Sequence, residues 1–227
     1  MQSIPAYVSF TFIATTLLTL WFFYKASKKS NLLLGILLLW LLFQGFLANS
    51  GFYLILTTFS PRFLFLVAPP FLLILYFFLT KKGRKLIDRF DLKTLTYLHV
   101  VRIPVELVLW WLFVYEAVPQ LITFEGKNWD ILSGVSAFFI GYFGYNKHQL
   151  SRSVLLAWNF ICLGLLGIVV FLAIFSAPTA FQKFGFEQPN LGVFKVPFVF
   201  LPGFIVPVVL FSHLACIRKL LHLKSET

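Results

Sequence analysis

SVLLAWNFICLGLLGIVVFLAIFS, running from Ser153 to Ser176, is the stretch that decides the fold. It holds 24 residues and no charge. As an α-helix rising 1.5 Å per residue it reaches about 36 Å, enough to cross the roughly 30 Å hydrocarbon core of a bilayer. Six further stretches are apolar enough to do the same: Ala6–Tyr24, Asn31–Tyr53, Pro61–Thr80, Leu95–Val118, Trp129–Tyr145 and Phe198–Ile217. The second continues apolar to Leu56. The fifth is the shortest and carries Gly134, Gly141 and Gly144. The expected architecture is an all-α integral membrane protein: one domain, residues 1–227, folded as a single bundle of seven transmembrane helices.

Composition agrees. The chain is 59% hydrophobic and 12% charged, whereas a soluble domain averages about 45–50% apolar and about 25% charged. A fold of this size leaves much of its area exposed, so lipid is the solvent that suits so many Phe and Leu side chains. The net charge of +11 does not indicate nucleic acid, because the basic residues sit in short clusters between apolar runs. That is the positive-inside pattern.

Counted loop by loop, the clusters orient the bundle. With the N-terminus extracytoplasmic and the C-terminus cytoplasmic, fourteen Lys and Arg fall in inner segments and four (Arg62, Lys127, Lys183, Lys195) in outer ones. The remaining one, Arg102, lies within a span. The first run has no basic residue before it and Lys25, Lys28 and Lys29 after it, the reverse of a cleavable signal peptide. The expected location is the cell membrane, multi-pass. Lysine-rich ends suit the anionic inner leaflet, and Lys81–Lys93 reads as an amphipathic surface helix or as a solvated basic loop. The two long outer loops, Pro119–Asn128 and Ala177–Pro197, are expected to pack back as a lid.

Ionisable groups at membrane depth are costly, and the fourth run has three: His99, Arg102 and Glu106, followed by Trp110. At 100° per residue these four share an arc of roughly 80°. They lie about 6, 10 and 16 Å from the inner end for His99, Arg102 and Glu106. The expectation is an Arg102–Glu106 pair, either a lock for the bundle or part of a site, next to a kink at Pro104. His213 in the seventh run and Asn159 in the sixth fall at depths of about 7 and 9 Å. His99, Arg102, Asn159 and His213 therefore form one polar layer if helices four, six and seven touch. Trp158 and Gln44 are secondary candidates, and so are Glu125 and Asp130, both expected at the outer surface, with Asp130 capping the fifth helix. Threonines in the first run read as packing residues.

Chemistry is bounded mostly by what is missing. The seventh run has no lysine for a retinal Schiff base, and no three-ligand zinc set shares a depth. Neither G-x-S-x-G nor H-E-x-x-H nor a phosphate-binding glycine loop occurs. Ser212 and His213 are adjacent and so turned about 100° apart. Cys162 and Cys216 read as buried hydrophobes. No catalytic motif is found and no cofactor is named. Three readings follow: a protein binding or transporting a small polar or anionic ligand at Arg102, with Glu106 and the histidines handling protons; a structural or partner-binding membrane subunit; or a haem protein using His99 and His213 as axial ligands.

Overall fold

The computed structural model describes residues 3–55 and 62–222. Leu56, Pro61 and Lys224 lie outside the described residues. The described residues form helices joined by turns and loops, with no strand. Nine α-helices are found among them: α1 Ala6–Ala26, α2 Asn31–Asn49, α3 Leu64–Leu79, α4 Lys81–Ile87, α5 Leu92–Leu98, α6 Arg102–Val114, α7 Ile131–Phe139, α8 Arg152–Phe175 and α9 Val206–His222.

Five rods are long and apolar enough to cross a membrane: α1, α2, the rod Leu92–Val114, α8 and the rod Leu201–His222. A sixth forms if α3 and α4, bent by 98°, count as one. The expected fifth span resolves into α7 followed by a π-helical turn over Ile140–Asn146. These 16 residues fall short of the about 20 that a crossing needs. Five helical rods, or six with the bent pair, are therefore compatible with a multi-pass membrane protein by length and composition.

Local chemistry explains the element boundaries. Ser30, Thr80, Asp91 and Ser151 each accept a hydrogen bond from the backbone N–H three residues on, starting α2, α4, α5 and α8; a side-chain oxygen there satisfies a donor that the first turn leaves open. The bend at Thr80 also depends on Gly83, where a Cβ would come within 2.4 Å of the Phe77 backbone. The Lys81–Lys93 run is therefore helical in its first half. Pro104 has no N–H to give the carbonyl of Val100, and the chain responds one turn earlier. Residues His99–Val101 tighten into a 3₁₀ turn in which the Arg102 N–H bonds the His99 carbonyl.

The rod ending in α9 is the centre of the bundle: 67% of its most apolar stretch is buried, against 17% in α2. It packs on α8, α5 and α3, while α1 lies along α5 and α6. Exposed Leu39, Leu42 and Phe46 on α2, Phe10 and Leu17 on α1, and Phe160 and Ile161 on α8 form the rim. Apolar area on this scale is not left to water by a soluble monomer. The threonines of α1 bond their own backbone, as Thr15 does to the carbonyl of Thr11 and Thr19 to that of Thr15.

Candidate functional site

A 3₁₀ turn has three residues per revolution, so His99 and Arg102 project to the same side where α5 passes into α6. Both are buried. The structure brings Asn159 and His213 to the same place, and α8, α9 and the α5–α6 rod are in contact. The Arg102 Nη1 lies 3.0 Å from His213 Nε2, and His213 Nδ1 lies 2.9 Å from Asn159 Oδ1. Guanidinium only donates, so Nε2 accepts. Nδ1 then carries the ring proton and donates to Asn159, whose own amide N–H donates to the Leu155 carbonyl at 2.8 Å.

The His99 ring stacks on the His213 ring, with centroids 3.8 Å apart and planes 16° from parallel. Trp158 closes the group edge-on to His99 at 5.5 Å, and its indole N–H donates to Ser136 Oγ at 2.9 Å. Both ring nitrogens of His99 are buried without a hydrogen-bond partner among the described residues. Haem does not fit this pair. Axial histidines aim a nitrogen each at one iron from opposite sides of the macrocycle, whereas these rings lie face to face in contact, and both nitrogens of His213 are engaged.

Two expectations are corrected by Asp130. Arg102 does not pair with Glu106 one turn away. Its Nε donates to Asp130 Oδ2 at 2.6 Å and its Nη2 to Asp130 Oδ1, a bidentate pair, with a further contact from Nη2 to the Cys162 carbonyl at 3.3 Å. Nor does Asp130 stand at the outer surface as a cap: it is buried, and it makes no capping bond to α7. The reason is the start of α7, which lies level with the first two turns of α6. Gly134 sits against Ile103, where a Cβ would come within 2.9 Å of Cγ1 and 3.0 Å of the backbone nitrogen. That close approach places Asp130 in reach of a long arginine.

Glu106 is left with a different partner. Asn128 Nδ2 donates to its Oε2 at 2.7 Å and also to the Ile122 carbonyl at 3.0 Å, while Asn128 Oδ1 accepts the Asp130 N–H at 3.0 Å. Asn128 had a signal in sequence: an Asn two residues before a helix-starting Asp suits an Asx turn. Asn190 shares a polar stretch of sequence with Glu187 and Gln188. It anchors the second long loop through the Ala173 carbonyl at 3.1 Å and keeps a buried, unpartnered Oδ1.

Glu106, Asp130 and Asn190 line a cavity of about 110 Å³ whose other walls are apolar, among them Val67, Leu166 and Phe194. Both long loops pack over it. The Gly192 N–H bonds the Ala117 carbonyl at 2.7 Å, and Gln188 Nε2 bonds those of Phe113 and Val118. The secondary candidates do not join the site, apart from Trp158 and Asp130. Gln44 is buried but accepts from the Tyr53 hydroxyl, Glu125 is exposed on its loop, and Trp110 faces Phe124 at 5.9 Å. Among the described residues no group of three His, Cys, Asp or Glu is arranged to hold a metal.

Residues 58–221 match the family model described as Domain of unknown function (DUF8737), and the chain belongs to that family. The matched region contains Arg102, Glu106, Asn128, Asp130, Asn159 and His213, and leaves out α1 and α2. No curated protein and no solved structure matches the chain.

Proposed function

We propose that this member of the DUF8737 family is a cell-membrane protein with seven spans, its N-terminus extracytoplasmic and its C-terminus cytoplasmic, that binds a small ligand at Glu106 in exchange for a proton. The loop charges support the topology. The fifth crossing in chain order is α7 with its π turn, a segment too short to span alone and completed by the inward-folded loop before it.

The observation that carries the binding reading is Glu106 itself. It is a buried carboxylate on a cavity wall with, among the described residues, a single side-chain partner, Asn128. Arg102 directs its donors to Asp130, His213 and Cys162, so an anion finds little to bind there. The acceptors left facing the cavity favour a ligand that donates, an amine or a hydroxyl on a small apolar body. When ligand leaves, a proton on Glu106 keeps the wall neutral.

Dicyclohexylcarbodiimide, an apolar reagent that couples to protonated carboxyls, tests this in reconstituted vesicles. Glu106 becomes labelled, Asp130 does not, and small tertiary amines, which cannot form an amide with the activated carboxyl, protect. Equal labelling of both carboxyls, or none, defeats the reading. A second reading has one observation in its favour: the bidentate Arg102–Asp130 pair is the geometry of a bundle lock, and a purely structural membrane subunit needs no more than that.

A further inference from the structure

A second cavity, of about 490 Å³, lies away from Glu106 between α2 and α3. It exists because α2 touches α1 and the π-helical turn Leu201–Ile205 but stands off from α3. Its walls are apolar: Leu33 and Leu37 on one side, Leu73 and Ile74 on the other, Val208 and Phe211 behind. Trp40 closes one end, its indole N–H bonding the Gly203 carbonyl at 2.8 Å, beside Pro69 and Pro70. Ser27, Ser30 and Arg89 line the other end.

Length and charge identify the occupant. From the mouth at Ser30 to Trp40 is ten residues of helix, about 15 Å, which is half of the roughly 30 Å hydrocarbon core and so the depth of one leaflet. The mouth is cationic. Arg89 is exposed, and its guanidinium makes no hydrogen bond or ion pair among the described residues. Its acidic neighbours are engaged: Asp88 with Arg218 at 3.2 Å, and Asp91 with the Thr94 N–H at 2.8 Å. Lys28 and Lys29 are exposed between the two serines, and α2 begins at this mouth, adding the positive end of its dipole.

We propose that this cleft binds one phospholipid with an anionic headgroup, an acyl chain lying between α2 and α3 and the phosphate at Arg89. In the topology given above the mouth opens on the cytoplasmic leaflet, where anionic lipids concentrate. The site shares no residue with the Glu106 cavity, so each stands without the other.

Native mass spectrometry of the full chain, purified in mild detergent with equal phosphatidylglycerol and phosphatidylcholine, tests it. One phosphatidylglycerol per chain is retained. Arg89→Gln lowers that retention about fivefold, the effect of one basic residue at an anionic surface, and Lys147→Gln leaves it unchanged. Leu73→Trp fills the cleft and removes binding of both lipids; should that variant misfold, Leu33→Trp from the opposite wall serves. Equal retention of the two lipids, unchanged retention in Arg89→Gln, or a lipid-free dimer overturns the proposal.

Discussion

His99 lies flat on His213, the ring centroids 3.8 Å apart, yet only His213 is tied by hydrogen bonds. One imidazole holds the guanidinium of Arg102 to the amide of Asn159. The other contributes a face and an edge, and its nitrogens bond nothing among the described residues. Two histidines at one depth therefore have unequal roles.

Replacement should expose that inequality. His99→Phe keeps an aromatic face, forfeits no hydrogen bond and changes stability by less than about 1 kcal/mol. His213→Phe removes two bonds, one to a charged group, and costs about 2–4 kcal/mol. Unfolding followed by intrinsic fluorescence in detergent separates the two. Equal losses would show that His99 has a polar partner.

Breaking the Arg102–Asp130 pair from one side leaves a buried charge alone. Asp130→Leu or Arg102→Leu should each destabilise by about 3–5 kcal/mol, and the double variant by clearly less than their sum. A double-mutant cycle on thermal unfolding measures this. Additive losses would mean that the pair contributes nothing as a pair.

Glycines in two helices should answer differently to a methyl group. At Gly134 a Cβ meets Ile103 at 2.9 Å, so Gly134→Ala pushes α7 off α6 and costs about 1–3 kcal/mol. At Gly164 and Gly167 on α8 a Cβ would meet nothing within 4 Å among the described residues. Alanine there should stabilise by about 0.5–1 kcal/mol through helix propensity alone. The same unfolding assay reads both signs.

Asn128 is the residue through which Glu106 and the start of α7 are joined. Asn128→Ala leaves the Asp130 N–H and the Glu106 carboxyl each short of a partner, a loss of about 1–3 kcal/mol. It should also speed carbodiimide labelling of Glu106. Slower labelling would show that Asn128 opens access instead of holding the carboxyl.

Topology is checked by fusion reporters. A cytoplasmic fluorescent protein joined in the exposed segment 146–149 or at the C-terminus should fluoresce, and one at the N-terminus should not. With six crossings instead, the two termini would report the same side.

Much of the bundle was legible along the chain because it rests on local regularities. Apolar runs of about 20 residues and the helical period are properties of backbone geometry. They put His99, Arg102 and Glu106 on the face that turns out to be buried, and equal depths brought out the meeting of Arg102, Asn159 and His213. The loops were legible only as loops that fold back.

Partner choice was not legible. Asp130 is 28 residues from Arg102, whereas Glu106 is one turn away, and local spacing favours the nearer carboxylate. Which one the guanidinium reaches depends on where the loop Pro119–Asn128 sets the start of α7, and on a glycine small enough to let two backbones approach. The π turn after Phe139 and the gap between α2 and α3 have the same origin in packing.

The amino-acid sequence by itself determined an all-helical, lipid-suited chain with a polar stripe on one rod, since hydrophobicity and helical period act within a single segment. Only the tertiary structure decided that Arg102 is bound to Asp130 and that Glu106 faces a cavity beside Asn128, since side chains pair through the path of the loops and the closeness of helices, which no single segment contains.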